Sequence, residues 1–209
     1  EGPDYGGRTS LDYQTNGQQW HGRQTFWGGD EDSGFRVGYG HRGGENYETG
    51  AGQSIPAEYE SREWDVALGW DPTEDSRLEF SYLRLDQTDV EFPGQAFDMD
   101  FLVTDAYEVE YVDEGLVNVD RLAVDAWYNR TRFTGNAQDP DKRAQFPFFD
   151  DRNLTMFTDV DSASTGYRVE AEWGEERAEQ LRVGTDLRHV KQELNEISSG
   201  GFGLNSFAN

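Results

Sequence analysis

Residues 61–87 carry the pattern that most constrains the fold of this chain. Apolar side chains occupy every second position on both sides of a short polar segment: Trp64, Val66, Leu68, Trp70, Leu78, Phe80 and Tyr82. A period of two places these side chains on one face of an extended chain and the polar ones on the other. The segment between them, 71–76, contains Pro72 and two Asp residues, which favour chain reversal. The stretch therefore predicts an antiparallel β-hairpin with one apolar face.

The same alternation recurs along the chain and predicts about nine strands. The predicted spans are 8–15, 19–27, 35–40, the two strands within 61–87, 105–112, 119–133, 166–174 and 180–193. Asn16-Gly17, between the first two, is the strongest short signal for a hairpin turn. The predicted fold class is all-β, an antiparallel meander in which sequence neighbours pair.

The connections and the polar face favour an arc of a large transmembrane β-barrel. Long connections at 41–60, 86–104 and 134–164 alternate with short ones at 71–76, 113–118 and 175–179, and such barrels keep short turns on one rim and long loops on the other. Charges of both signs follow the polar face: Asp65, Glu79, Glu108, Glu110, Arg121, Asp125, Arg168, Glu170, Glu172, Arg182, Asp186 and Arg188. We expect no large apolar side chain on that face, as in a wide, wet lumen. A soluble sandwich also has one apolar face and stays open as an alternative.

Composition excludes several functional classes. Acidic residues number 42 against 18 basic ones, a net charge of −24 that phosphate backbones would repel. There is no Cys, so disulfides and thiolate metal sites are ruled out. No apolar run reaches the about 18 residues of a membrane-spanning helix. Aromatic residues near strand ends are typical of an interfacial girdle, although ordinary β-propensity explains them equally well: Trp70, Tyr111, Tyr128 and Trp173.

Candidate catalytic and metal-binding groups are weak. Glu108 and Glu110 share a face, as paired glycosidase carboxylates can, but the charged ladder to which they belong is the simpler interpretation. The three histidines are scattered: His21, His41 and His189. Asp-rich segments at 30–32, 98–100, 139–141 and 159–161 could offer oxygens to Ca²⁺, without the spacing of an EF-hand. The sequence indicates neither an enzyme nor a bound cofactor or metal.

Four runs resemble early barrel strands of TonB-dependent outer-membrane receptors. They are 34–42 (Gly-Phe-Arg-Val-Gly-Tyr-Gly-His-Arg), 55–62 (Ile-Pro-Ala-Glu-Tyr-Glu-Ser-Arg), 77–84 (Arg-Leu-Glu-Phe-Ser-Tyr-Leu-Arg) and 90–94 (Val-Glu-Phe-Pro-Gly). The similarity covers about residues 28–111 and continues more weakly to the ninth strand. It implies a 22-stranded barrel in the bacterial outer membrane, with a plug inside it that couples to a TonB-type energy-transducing complex.

The chain departs from this pattern in three respects. No plug or TonB box precedes Glu1, nine strands are fewer than a closed single-chain barrel with an even strand number requires, and the chain ends Phe207-Ala208-Asn209 rather than on a strand with a terminal aromatic residue. We therefore expect residues 1–209 to form a partial barrel domain, without a plug, that this chain does not close. Lipid, a plug and the remaining barrel strands are its expected partners.

The resemblance also implies that the long loops bind a small-molecule ligand, such as a ferric siderophore. The candidate residues are Tyr47, Tyr59, Phe92, Phe97, Phe101, Phe146, Phe148, Phe149 and Arg152. Aromatic rings and Arg suit an aromatic, anionic chelate through stacking and charge. Loops of this length also pack on themselves, which would account for the same side chains.

Two other classes of function remain. One is a soluble, acidic β-sheet module that serves as a structural or interaction unit in an extracellular assembly. The other is an outer-membrane enzyme, for which no catalytic constellation is visible. A requirement for detergent during extraction separates the membrane hypothesis from the soluble one.

Overall fold

Nine long strands form one antiparallel sheet. The computed structural model describes residues 4–145, 155–174 and 179–199. Its elements are β1 (Asp4–Gln14), β2 (Gln19–Gly29), β3 (Ser33–Gly44), β4 (Tyr47–Glu48), β5 (Ser54–Ile55), β6 (Tyr59–Thr73), β7 (Ser76–Val90), β8 (Asp98–Asp113), β9 (Arg121–Asn136), α1 (Pro140–Gln145), β10 (Thr155–Trp173) and β11 (Leu181–Ser199). The sheet order is β1-β2-β3-β6-β7-β8-β9-β10-β11, so each long strand pairs with its neighbours in the chain. The predicted all-β meander is confirmed.

No helix in the described residues is long and apolar enough to span a membrane.

The register aligns the apolar residues of successive strands. Leu68 lies opposite Phe80, Phe80 opposite Val109, and Val109 opposite Ala126. Because paired residues share a face, these side chains form one continuous surface, the apolar face, and the intervening charged residues form the polar face. Trp64, Leu68 and Trp70 are about half exposed, and an exposed apolar surface this extensive is typical of contact with a membrane or a partner.

Burial differs between the two faces and indicates the direction in which the sheet curves. On the polar face Ser61, Asp65, Ser164 and Glu172 are all at most 9% exposed, although no described element covers that face. Leu68 on the apolar face keeps 48% of its surface exposed. Side chains converge on the inner side of a curved sheet and diverge on its outer side. The sheet is therefore curved toward its polar face, as in an arc of a barrel wall.

The strands run obliquely to the apolar band. On the side of the short turns, the last apolar residue of the band is Phe35 in β3 and Leu181 in β11. The residue of β11 in the same register row as Phe35 is Leu187, so this edge shifts by six residues across the sheet. On the side of the loops, the last apolar residue is Tyr39 in β3 and Leu187 in β11. Tyr39 shares a register row with Lys191, so this edge shifts in the same direction by four residues. Over six strand-to-strand steps this is a tilt of roughly 25–35°, given about 3.3 Å per residue and about 4.8 Å between strands. Transmembrane barrels tilt their strands by a similar angle.

Aromatic rings follow the loop-side edge of the apolar band. The ring centroids of Tyr82 and Tyr107 lie 4.8 Å apart, and those of Tyr107 and Tyr128 lie 6.3 Å apart. Tyr39 and Trp64 form a second pair, with centroids 4.3 Å apart. Such cross-strand aromatic pairs stabilise the sheet where they occur. Tyr82, Tyr107 and Tyr128 occupy one register row, which we call the tyrosine row.

The strands extend further into all three predicted loops than expected, so the loop boundaries were wrong. The loop predicted at 134–164 is reduced to 137–154, because β9 continues to Asn136 and β10 begins at Thr155. β7 continues to Val90 and β8 begins at Asp98, which reduces the predicted loop 86–104 to residues 91–97. Likewise β3 extends to Gly44, and β6 begins at Tyr59. Charged residues such as Asp86 made these segments look like loops, but the backbone ladder continues through them: Asp86 pairs with Val103 and Gln87 with Leu102.

The prediction that the polar face lacks large apolar side chains was also wrong. Trp27 and Trp127 lie on that face, opposite Arg36 and Glu108 respectively. Each indole covers a glycine: a Cβ on Gly166 would lie 2.4 Å from the ring of Trp127. The large rings therefore fill space that neighbouring glycines leave open.

The two ends of the sheet differ, as the sequence predicts for the described connections, while residues 175–178 of the third short turn lie outside the described residues. At one end short turns contact each other through their backbones: the Asp71 amide donates to the Asp32 carbonyl (2.7 Å) and the Glu114 amide to the Asp75 carbonyl (2.8 Å). In the β2–β3 turn the hydroxyl and amide of Ser33 donate to the Asp30 carboxylate and lower its pKa. The connections 45–58 and 91–97 and the described residues 137–145 after β9 lie at the other end, which we call the loop rim.

Candidate functional site

The first ligand candidate, Tyr47, is anchored over the β1–β2 turn. It lies in β4, which pairs with β5 in a small hairpin at the loop rim. Asn16 holds this hairpin by two hydrogen bonds, accepting from the Glu48 amide (2.9 Å) and donating to the Glu48 carbonyl (3.0 Å). Gly17, at φ +79°, lies so close that a Cβ there would be 3.3 Å from Tyr47 Cβ. Tyr47 is thus fixed in position by a turn far from it in sequence.

Tyr59 and Phe101 lie in strands rather than in loops. Tyr59 begins β6 on the polar face, where its ring covers Gly44 at the mouth of that face. Phe101 lies in β8 on the apolar face, opposite Thr88 and Thr134. Phe101 therefore faces away from the polar side and does not join the other candidates.

Phe92 and Phe97 flank the connection between β7 and β8. The ring of Phe97 lies 6.0 Å from that of Phe133 and covers Gly135, where a Cβ would be 2.5 Å from the Phe97 ring. The amide of Phe92 donates to the Asp98 carboxylate over 3.1 Å. These contacts are typical of a loop that packs on itself. The remaining candidates lie outside the described residues: Phe146, Phe148, Phe149 and Arg152.

Lys142 ties this loop to helix α1, and sequence analysis did not predict its role. Its side chain is 2% exposed, and its ammonium group contacts the Asp98 carboxylate and the Phe92 carbonyl, the latter at 3.2 Å. The Asp139 carboxylate accepts from the Lys142 amide at the start of the helix (2.8 Å). A buried ammonium needs such partners, because an unpaired charge is costly to bury. The chain's scarcity of Lys was the only available signal.

Replacing Lys142 by Met should release the 91–97 loop from helix α1. The substitution leaves Asp98 largely buried without its cation, which costs about 3 kcal/mol. Because Lys142 contacts the loop and the first residue of β8 rather than the strand ladder, we expect faster amide exchange and proteolysis at 91–97, with little change in the melting of the strands. K191M, which removes an exposed lysine, is the control. Equal protection of the loop in K142M and in the unaltered protein would contradict this role.

On the polar face, Arg23 joins three strands. From β2 it reaches across β3 to the carboxylates of Glu63 and Asp65 in β6. The path is open because β3 has glycines here: a Cβ on Gly38 would be 2.1 Å from Asp65 Oδ2, and one on Gly40 would be 2.6 Å from Glu63 Oε1. Arg36 also approaches Asp65, with Nε 3.6 Å from Oδ1.

A second set of charges on the polar face is only partly paired. Arg121 and Arg182 both contact Glu172, at 3.1 and 3.0 Å. Glu110, by contrast, lies between Glu79 and Asp125 in one register row. Neither carboxylate forms a close ion pair within the described parts of the chain, although Arg77 attracts Glu110 and Arg168 lies opposite Asp125 in β10. Adjacent like charges are destabilising in isolation, so these carboxylates are available to a basic group that enters from the concave side.

A cavity of about 260 Å³ opens on the polar face near the short turns. Gly34 and Gly69 lie at its base, while Trp27, Arg36 and Arg77 rise around it. Its walls offer an aromatic surface and two guanidinium groups. The described residues include no group of three or more His, Asp or Glu side chains placed to hold a metal ion.

Comparison with known proteins supports the fold. No protein-family model and no curated relative matches the chain. Among solved structures, the copper transporter OprC superposes with a TM-score of 0.74 at 20% sequence identity. The match covers 92% of this chain and 30% of that one, so the chain spans less than a third of the transporter's length. At this identity the likeness shows the fold: the nine-stranded sheet has the form of an arc in a transporter structure.

Proposed function

We propose that this chain forms part of the barrel wall of a TonB-dependent receptor in the bacterial outer membrane, which takes up a scarce nutrient such as a ferric siderophore. One observation carries the proposal: a curved, tilted sheet exposes a continuous apolar band on its outer side and charges on its inner side. A bilayer suits the first surface and a wet lumen the second. A soluble module would leave half-exposed Trp64, Leu68 and Trp70 in water.

The polar face supplies contacts for a plug. Glu110 and Asp125 can bind basic side chains of such a domain, and the cavity between Arg36 and Arg77 can accept an acidic or aromatic group. The coupling of such a plug to a TonB-type complex follows from the resemblance of the sequence to that family. The sheet itself supports only the wall that would surround it.

The loop rim supports a ligand-recognition role. Tyr47, Tyr59, Phe92 and Phe97 all lie at this end of the sheet, and Tyr59 faces the lumen. Aromatic rings at the mouth of a lumen suit the stacking of an aromatic iron chelate. Because the similar solved structure is that of a copper transporter, copper is the second cargo to test.

The test is uptake by cells that express the intact protein as their only outer-membrane transporter for the cargo. We expect labelled ferric siderophore to accumulate, and accumulation to stop when TonB is deleted or the proton-motive force is collapsed. Labelled copper is the comparison in the same cells. Accumulation of copper but not of ferric siderophore would mean that the cargo is a metal ion rather than a siderophore. Recovery of the protein in the aqueous fraction without detergent would contradict a role as an outer-membrane receptor.

A further inference from the structure

A belt of charged side chains lies on the apolar face, immediately beyond the tyrosine row. Arg84 follows Tyr82 on this face, Asp105 precedes Tyr107, and Arg130 follows Tyr128, each by two residues. The other members of this interfacial belt are Arg132, Asp161, Lys191 and Glu193. Two residues of strand span about 7 Å. If the tyrosines mark the edge of the hydrocarbon region, the belt lies at the height of the lipid headgroups.

A cavity of about 230 Å³ opens in this belt on strands β9 to β11. Arg130, Ala163 and Lys191 occupy one register row on the three strands, so the short side chain of Ala163 leaves a gap between two basic groups. The ring of Tyr128 forms the side toward the apolar band, and Asp161 and Glu193 form the side toward the loop rim.

The basic groups in the cavity are held in place but remain accessible. Arg130 Nε donates to Asp161 Oδ1 over 2.9 Å, and Lys191 Nζ lies 2.6 Å from Glu193 Oε1. Their side chains are 44% and 71% exposed, so each keeps donors free for a further acceptor. A guanidinium and an ammonium on opposite sides of a gap match the oxygens of a phosphate.

We propose that this cavity binds the phosphate of a lipid headgroup, with Arg130 and Lys191 as donors and Ala163 providing the space between them. The proposal rests on the proposed function, which places the apolar face in a bilayer. A lipid is the source that the surroundings favour, because Tyr128 and Tyr167 continue from the cavity into the apolar band, where glycerol and acyl groups would lie. Asp161 and Glu193 position the two basic side chains.

The test is native mass spectrometry of the intact protein in detergent micelles that contain dioleoyl phosphatidate. We expect R130Q/K191Q to weaken phosphatidate binding by about tenfold or more, since each charge-assisted hydrogen bond contributes at least that factor. R130K/K191R keeps both charges and should retain most of the binding. R168Q/R188Q is the matched control: it removes two arginines from the polar face of β10 and β11 and should bind as the unaltered protein does.

Two further probes separate the possible sources of phosphate. Dioleoylglycerol, which lacks phosphate, should bind equally weakly to all variants. Inorganic phosphate should not displace phosphatidate at equal concentration. Equal binding of phosphatidate and dioleoylglycerol, displacement by inorganic phosphate, or unchanged binding by R130Q/K191Q would each overturn the lipid-phosphate site. Failure of every variant to associate with detergent or lipid would instead contradict the membrane location on which the site depends.

Discussion

Replacing Phe80 by Arg should prevent stable insertion of this sheet into a bilayer. Phe80 lies in the middle of the apolar band, between Leu68 and Val109 in neighbouring strands. A charged side chain near the middle of a bilayer costs about 2–4 kcal/mol on the lipid face of a barrel. We expect a loss of that size in the free energy of unfolding of the intact protein from lipid vesicles, measured by denaturant titration.

The adjacent residue provides a control for this prediction. Ser81 follows Phe80 in β7 but lies on the polar face, opposite Glu108. An Arg at position 81 would meet that carboxylate in a wet lumen, so S81R should fold and insert almost as well as the unaltered protein. If F80R and S81R have equal stability, the apolar face does not contact lipid, and the soluble β-sheet module becomes the better account.

The two faces of the sheet could be predicted because strand geometry leaves little choice. Once Trp64, Val66 and Leu68 alternate with polar residues, a shift of one position would move every apolar side chain to the other face. The exact register was not predicted, because a shift of two positions, such as Phe80 opposite Tyr111 instead of Val109, would keep every apolar side chain on the same face. The open sheet, in which β1 and β11 lie at opposite ends, also agrees with the expected arc.

Strand ends and loop contacts could not be predicted, because in this chain charged residues occur both in loops and in ion pairs between strands. Asp86 and Asp89 have the composition of a loop, yet β7 continues through both residues, next to the ion pair that Arg84 forms with Asp105 in β8. Composition cannot show that opposite charges will meet across a ladder. The partnership of Lys142 with Asp98 likewise joins positions 44 residues apart, with no periodicity to reveal it.

The candidate ligand residues show the same limit. The sequence shows that these residues are aromatic. The face on which each side chain lies depends on the strand boundaries, which the sequence does not show. Phe101 was assigned to a loop, and the extension of β8 placed it on the apolar face. Phe97 remained at the rim, because Gly135 offers a surface on which its ring can lie.

Replacing Arg23 by Met should produce the second large effect, since it removes the cation shared by Glu63 and Asp65. The Asp65 side chain is 13% exposed, and its Oδ1 has no hydrogen-bond partner among the described residues. Without Arg23, two partly buried carboxylates remain on one face of β6. Removing one partner of a buried ion pair costs about 3–5 kcal/mol, and we expect about 3 kcal/mol because Arg23 retains 29% exposure.

Comparison of Arg23 with Arg36 tests whether the bridge across β3, rather than charge alone, is responsible. Arg36 also approaches Asp65, but its side chain is 58% exposed and the contact is 3.6 Å, so R36M should cost less than about 1 kcal/mol. Adding E63Q and D65N to R23M should recover part of the loss, because neutral amides tolerate the position without a cation. Urea unfolding of the intact protein in vesicles measures all of these variants. Equal losses in R23M and R36M would mean that the glycine-lined path over Gly38 and Gly40 does not contribute to the stability of the sheet.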